Sequence, residues 1–211
     1  NHQREVKEEK ESRDKLCSGG KTVPSGYKRP YRAAKLEAGT ADAQYILSGE
    51  HDAEVIKAIK AVVAAEEPIS AQFIIRRVLS SYGIYKHGVK LDGKLNSLIE
   101  GCGYQSNEIL GVKYYYRADK YSAFDRYRVE EGAQLRSAET DYCPYDVISL
   151  VKSILFSKVS MYSDELVVAV QREFKVPRLS DKFAAYINSC IDYGVSKGIF
   201  VRSISDKISL V

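Results

Sequence analysis

The chain has 211 residues, 45% of them hydrophobic and 28% charged. That balance suits an ordinary globular protein of one or two domains, and no run approaches the ~18 apolar residues of a membrane span. The formal net charge of +4 permits nucleic-acid contact without demanding it, since dedicated DNA-binding domains are often more basic.

Cys17, Cys102, Cys143 and Cys190 lie far apart and form no C-x-x-C pair, and the three histidines are scattered. No metal site and no cofactor are expected from them. Reduced structural thiols and a cytoplasmic setting are the expectation. No signal peptide is seen. The chain opens on Asn1 with a single methionine, Met161, so a piece of a longer protein is expected.

Residues 1–48 show no sustained periodicity and are expected to be a charged and linker segment, partly disordered. His2 to Lys15 mixes both charge signs around one aliphatic residue, Val6. Ser18 to Pro30 is rich in Gly, Ser, Pro and Lys and reads as linker. Tyr27, Tyr31, Leu36, Tyr45, Ile46 and Leu47 offer anchors onto a folded unit. Gly19-Gly20-Lys21-Thr22 imitates the end of a phosphate-binding P-loop. Lys15 stands where that motif needs its first glycine, and a charged run replaces the buried strand.

The first folded domain is expected over 49–118. Val55, Ile56, Ile59, Val62 and Val63 recur at helical spacing over Asp52 to Glu66. Pro68 closes that helix, because the residue before proline avoids the helical region. Ile69 begins a short extended link, and Ser70 is an N-cap candidate for a second helix to Tyr82. Gly83 suits its left-handed end. A third helix runs from about Gly88 to Glu100 on Leu91, Leu95, Leu98 and Ile99. Glu108 to Arg117 then reads as a hairpin turning at Gly111.

The connector, 119–140, holds Tyr121, Phe124, Tyr127, Lys120, Arg126 and Arg128. It is long for a structureless loop, so part of it should form a strand or helix. The second domain is expected over 141–211. Pro144 opens its first helix, Ser163 caps a second ending near Phe174, and Ser180 caps a third to about Lys197. Two last strands follow, from Ile199 to Arg202 and from Lys207 to Val211.

These two domains align at an offset of roughly 92 residues, the signature of an internal repeat. Val55 and Ile56 answer to Val147 and Ile148; Ile59, Val62 and Val63 answer to Val151, Ile154 and Leu155; Leu91, Leu95 and Ile99 answer to Phe183, Ile187 and Ile191. Three helices followed by a hairpin is the order of a winged helix, a helix-turn-helix with a wing. The fold expected is mostly α with small β-hairpin wings (α+β), as two tandem winged-helix-like domains.

Glu67-Pro68-Ile69, Arg76-Arg77-Val78-Leu79 and Gly83-Ile84-Tyr85-Lys86-His87-Gly88, with Pro144, Asp164-Glu165, Phe174, Arg178 and Gly198-Ile199, resemble a known family. It is the domain of unknown function at the C-terminal end of large bacterial superfamily I DNA-helicase-related proteins. The resemblance covers about Tyr31 to the end. Lys86 stands where the family usually has arginine, and Lys175 and Ser180 replace family glycines. The resemblance implies a helicase core and a nuclease-like domain in the parent chain as partners, and no chemistry in this segment.

For nucleic-acid binding the candidates are Lys86, His87, Lys90 and Lys94 on and before the third helix, with Arg178 and Lys182 at matching places. Lys113 and Arg117 are the wing candidates. Few Asn, Gln or Arg residues stand where base edges would be read, so binding without sequence specificity, to duplex or junction DNA, is expected. Arg76 and Arg77 are read as surface partners of acidic neighbours. In Tyr114-Tyr115-Tyr116, alternate residues are expected in the core. A protein-docking or dimerising module is the alternative; the oligomeric state stays open. No nucleophile, acid or base has a recognisable partner, so no enzyme is expected.

Overall fold

The computed structural model describes residues 27–117 and 125–211. The charged lead-in, Cys17, the P-loop-like Gly19 to Thr22, and Lys120, Tyr121 and Phe124 lie outside the described residues. About half of the described residues are helical and the strands form small sheets, so the chain is a mixed α+β protein. It divides into two compact units: residues 30–117 with 130–144, and residues 27–29 with 125–129 and 145–211. Strand β1 (Lys28–Pro30) opens the described chain.

In the first unit, the short helix α1 (Ala43–Leu47) is capped by Asp42, whose carboxylate accepts from the Tyr45 amide at 3.0 Å. Helix α2 (Asp52–Glu66) buries Val55, Ile59, Val62 and Val63. Burying each such aliphatic side chain stabilises the fold by about 1.5–3 kcal/mol. Glu67, extended before Pro68, ends the helix. Strand β2 (Ile69–Ser70) leads into helix α3 (Ala71–Ser81), whose N-cap Ser70 accepts from the Phe73 amide at 3.2 Å. Gly83, at φ +77°, turns the chain out of α3. Helix α4 (Val89–Gly101) buries the single stripe Leu91, Leu95 and Ile99.

The hairpin of β3 (Gln105–Ile109) and β4 (Val112–Tyr116) turns through Leu110 and Gly111, both at positive φ. It begins three residues earlier than the sequence suggests, because Gln105, Ser106 and Asn107 carry no apolar alternation. The sheet order is β2-β4-β3, antiparallel. Tyr114 and Tyr115 are both buried, so the expected alternation does not occur. Tyr115 joins the helical core, while the Tyr114 hydroxyl donates to the Thr140 carbonyl at 3.2 Å. Residues 130–144 therefore give the second face of β4 a partner.

Two buried carboxylates tie down the segments that lack periodicity. Glu66 accepts from the Tyr31 hydroxyl at 2.5 Å, the Ala34 amide at 2.9 Å and Arg77 Nε at 3.0 Å. Arg77 is thus paired as expected, but it is half-buried and its acidic partner is fully buried rather than on the surface. Glu130 holds the fully buried Arg136, whose guanidinium lies between the rings of Tyr31 and Tyr142, 4.5 and 4.4 Å from their centroids. Burial pushes the Tyr142 hydroxyl up to about 12. Arg76 pairs with Asp141.

In the second unit, strand β5 (Tyr127–Val129) pairs with β1. The connector does form a strand. Its Arg128 donates from the backbone amide at 3.0 Å and from the guanidinium at 2.5 Å to Asp146, which is buried on helix α5 (Pro144–Lys158). Strand β6 (Ser160–Tyr162), helix α6 (Ser163–Glu173), helix α7 (Asp181–Ser196), and strands β7 (Phe200–Arg202) and β8 (Lys207–Leu210) follow. Their sheet order is β6-β8-β7. Ser163 is the first helical residue rather than the cap: its hydroxyl donates to the Asp206 carboxylate, while Glu165 accepts from the Tyr162 amide at 3.2 Å. Ser180 does cap α7, accepting from the Phe183 amide at 3.1 Å.

The stretch from α2 to β4 and the stretch from α5 to β8 therefore both run helix, short strand, helix, helix, strand, strand, and in each the first strand bonds to the last.

Candidate nucleic-acid interface

The turn between α3 and α4 is fixed at both ends. The Ile84 amide donates to the Leu79 carbonyl at 2.9 Å, and Ile84 packs against the core. Nδ1 of His87 lies 2.6 Å from Oδ1 of Asp92 in the first turn of α4. Between these anchors Tyr85 and Lys86 stand in solvent, Tyr85 at 80% exposure. Gly88 opens α4 in extended conformation without a side-chain cap, and its carbonyl accepts from the Leu91 amide at 3.0 Å. The Val89 and Lys90 amides are the ones left for water or a ligand among the described residues. Val89 and Lys90, the first two residues of α4, are also exposed.

The matching turn of the second unit runs from Phe174 to Ser180. Lys175 adopts φ +57°, the left-handed region that favours glycine. The non-glycine residue there keeps the left-handed turn, with some backbone strain. Arg178 is exposed in this turn and Lys182 is exposed in the first turn of α7. Asp181 shares that first turn and offsets part of the positive charge.

The eight candidate residues separate into two groups. Lys86, Lys90, Arg178 and Lys182 are exposed and form no ion pair among the described residues. The other four are engaged. Lys94 Nζ lies 2.6 Å from Asp52 of α2. Lys113 Nζ lies 2.6 Å from Glu100 and 5.4 Å from the centre of the Tyr115 ring. Arg117 grips Glu67 through its amide and guanidinium, both at 2.6 Å, and donates to the Ala64 carbonyl. His87 is bound to Asp92 as above.

These pairs have electrostatic consequences. Hydrogen bonds from Lys113 and then Tyr115 hold the Glu100 carboxyl below the usual range. In the second hairpin, Arg202 is gripped by Asp192 and Asp206. The Ser163 hydroxyl and Arg202 in turn hold the Asp206 carboxyl low. The hairpin cations thus mainly brace their own units.

Sequence reasoning missed Tyr85 and Val89, which it left without a role, and Arg172, an exposed cation in the last turn of α6 with no ion pair among the described residues. Only the apolar spacing of α4 bears on the first two: neither falls on the Leu91, Leu95, Ile99 stripe.

Among the described residues no group of three His, Cys, Asp or Glu side chains is placed to hold a metal ion. No helix of the described residues is long and apolar enough to cross a membrane. Among the described residues, Cys102 and Cys190 form no disulfide, and burial raises the Cys190 thiol well above its ordinary value, which disfavours the reactive thiolate. No family profile matches the chain, and neither a curated protein nor a solved structure is detectably similar to it.

Proposed function

We propose that the chain is a non-catalytic pair of winged-helix-like domains that binds DNA through phosphate contacts without sequence specificity. The observation that carries this reading is the repeated place of the free cations. Lys86 and Lys90 precede and open the third helix of one unit; Arg178 and Lys182 hold the same places in the other, about 92 positions on. Exposed cations at a helix start attract phosphates, helped by the partial positive charge of the open amides. The element order and the first-to-last strand bonding in both units support the winged-helix reading. The resemblance to the C-terminal region of helicase-related proteins supports an accessory role beside helicase and nuclease domains.

The test is fluorescence anisotropy of a labelled duplex at low salt. Wild-type protein should bind, and unrelated duplex sequences should compete equally. The variant carrying Lys86→Glu, Lys90→Glu, Arg178→Glu and Lys182→Glu should lose binding while keeping its circular dichroism spectrum. No binding by folded wild-type protein at micromolar concentration overturns the reading.

One observation favours a second reading, docking onto another protein or dimerisation. The last hairpin exposes Val201, and Ile204 at its turn stands wholly in solvent, while its arginine is already paired. An exposed apolar group with its neighbouring charge neutralised suits a protein surface better than a phosphate backbone. Val201→Ser with Ile204→Ser should then abolish any dimer seen by sedimentation, and leave DNA affinity unchanged.

A further inference from the structure

We infer that Tyr85 is a stacking platform for an unpaired base of single-stranded DNA, with Lys86 and Lys90 holding the phosphates beside it. The inference rests on the DNA-binding reading above and adds the form of DNA that the first unit takes. A singly exposed aromatic residue needs no explanation. This one differs in three respects.

First, the turn is held on both sides of Tyr85. Ile84 is bonded to Leu79 at 2.9 Å, and His87 is bonded to Asp92 at 2.6 Å. The backbone that carries the ring is thus placed before any ligand arrives, which lowers the ordering cost of binding. Second, the surroundings match a nucleotide. Lys86 and Lys90 are exposed without ion pairs among the described residues, and Val89, 88% exposed, adds apolar surface. Third, the feature belongs to one unit only. The corresponding position of the second unit is Pro177, next to Arg178, so that turn offers a cation and no flat ring.

The choice of an unpaired base follows from geometry. In a duplex both faces of every base are already stacked, so a tyrosine ring meets only edges and backbone. An unpaired base offers a free face to the ring, and the contact tolerates any sequence because every base has one. Cations beside an aromatic platform are the usual complement for the backbone of a single strand.

The chain contains no tryptophan, so Tyr85→Trp places one reporter at the site. Its emission should be quenched saturably by oligo-deoxythymidine and much less by a duplex of equal length. In anisotropy, Tyr85→Ala should weaken oligo-deoxythymidine binding about tenfold and leave duplex binding within about twofold, and Tyr85→Phe should bind both as wild type does. Unquenched emission, or equal loss on both forms of DNA with Tyr85→Ala, overturns the stacking platform and leaves duplex binding standing. Failure of the wild-type protein to bind either form overturns the platform and the DNA reading together.

Discussion

Lys94 of α4 reaches Asp52 at the start of α2, with Nζ 2.6 Å from Oδ2. One turn earlier on the same helix, Lys90 has no such partner among the described residues. The two lysines share a face by spacing, yet only one is free to meet a phosphate. Their difference comes from Asp52 on α2, 42 residues away.

Lys94→Gln should therefore act on stability rather than on binding. Both side chains of the pair are partly exposed, so solvent screening limits the loss to roughly 0.5–1 kcal/mol. Urea unfolding should register that loss, and duplex affinity should stay within about twofold. Lys90→Gln should give the reverse pattern. A larger affinity loss from Lys94→Gln than from Lys90→Gln would contradict the division into free and engaged cations.

The paired residues Glu130 and Arg136 make a second prediction. Arg136 is fully buried and Glu130 nearly so. Glu130→Ala would leave an unpaired buried charge and should cost about 3–5 kcal/mol. Replacing both, as Glu130→Leu with Arg136→Met, should recover much of that in chemical denaturation.

The same pair sets an acid dependence. Burial alone would raise the Glu130 carboxyl, but the hydrogen bonds and charge of Arg136 outweigh it and hold the group below its ordinary value of 4.5. A carboxyl lowered on folding contributes stability above its unfolded value, and the contribution is lost as pH falls through the folded value. The stability gap between wild type and Glu130→Gln should be constant above pH 4.5 and narrow below it. Denaturation midpoints measured across that range check this; a gap that widens in acid would contradict it.

Two glycines in the third helices should respond in opposite directions. A β-carbon on Gly194 would lie 2.5 Å from two ring atoms of the buried Phe200, whereas one on Gly93 would meet nothing within 4 Å. Gly194→Ala gains helix propensity but forces the ring to move, for a net loss of about 1–2 kcal/mol. Gly93→Ala removes only the flexibility of an exposed helical glycine and should gain up to about 1 kcal/mol. Thermal melts of the two variants separate these outcomes.

Helices α2 to α7 were legible in the sequence because their signals are local, whereas α1 lies in a stretch without periodicity and the first hairpin begins three residues before the expected Glu108. Val55, Ile59, Val62 and Val63 repeat at helical spacing, and Ser70 and Ser180 sit where caps are needed. The ordering of residues 30–36 was legible only through the apolar anchors Tyr31 and Leu36; the role of Glu66 was not, since that carboxylate looks like helix surface until Tyr31 and Arg77 close over it. The burial of Tyr114 beside Tyr115 depends on Thr140, a residue of the following connector. The candidate site was legible in kind but not in membership. Sequence spacing places cations on a face; acids distant in sequence decide which of them remain free.

The most direct measurement is the salt dependence of duplex affinity. Each phosphate neutralised contributes about −0.9 to the slope of log K against log salt. If Lys86, Lys90, Arg178 and Lys182 all meet phosphates, the slope should lie at roughly −3 to −4, and removing either pair by substitution to Gln should bring it to about −2. A slope near zero, or one unmoved by both paired substitutions, would contradict the claim that these free cations form the DNA-binding surface.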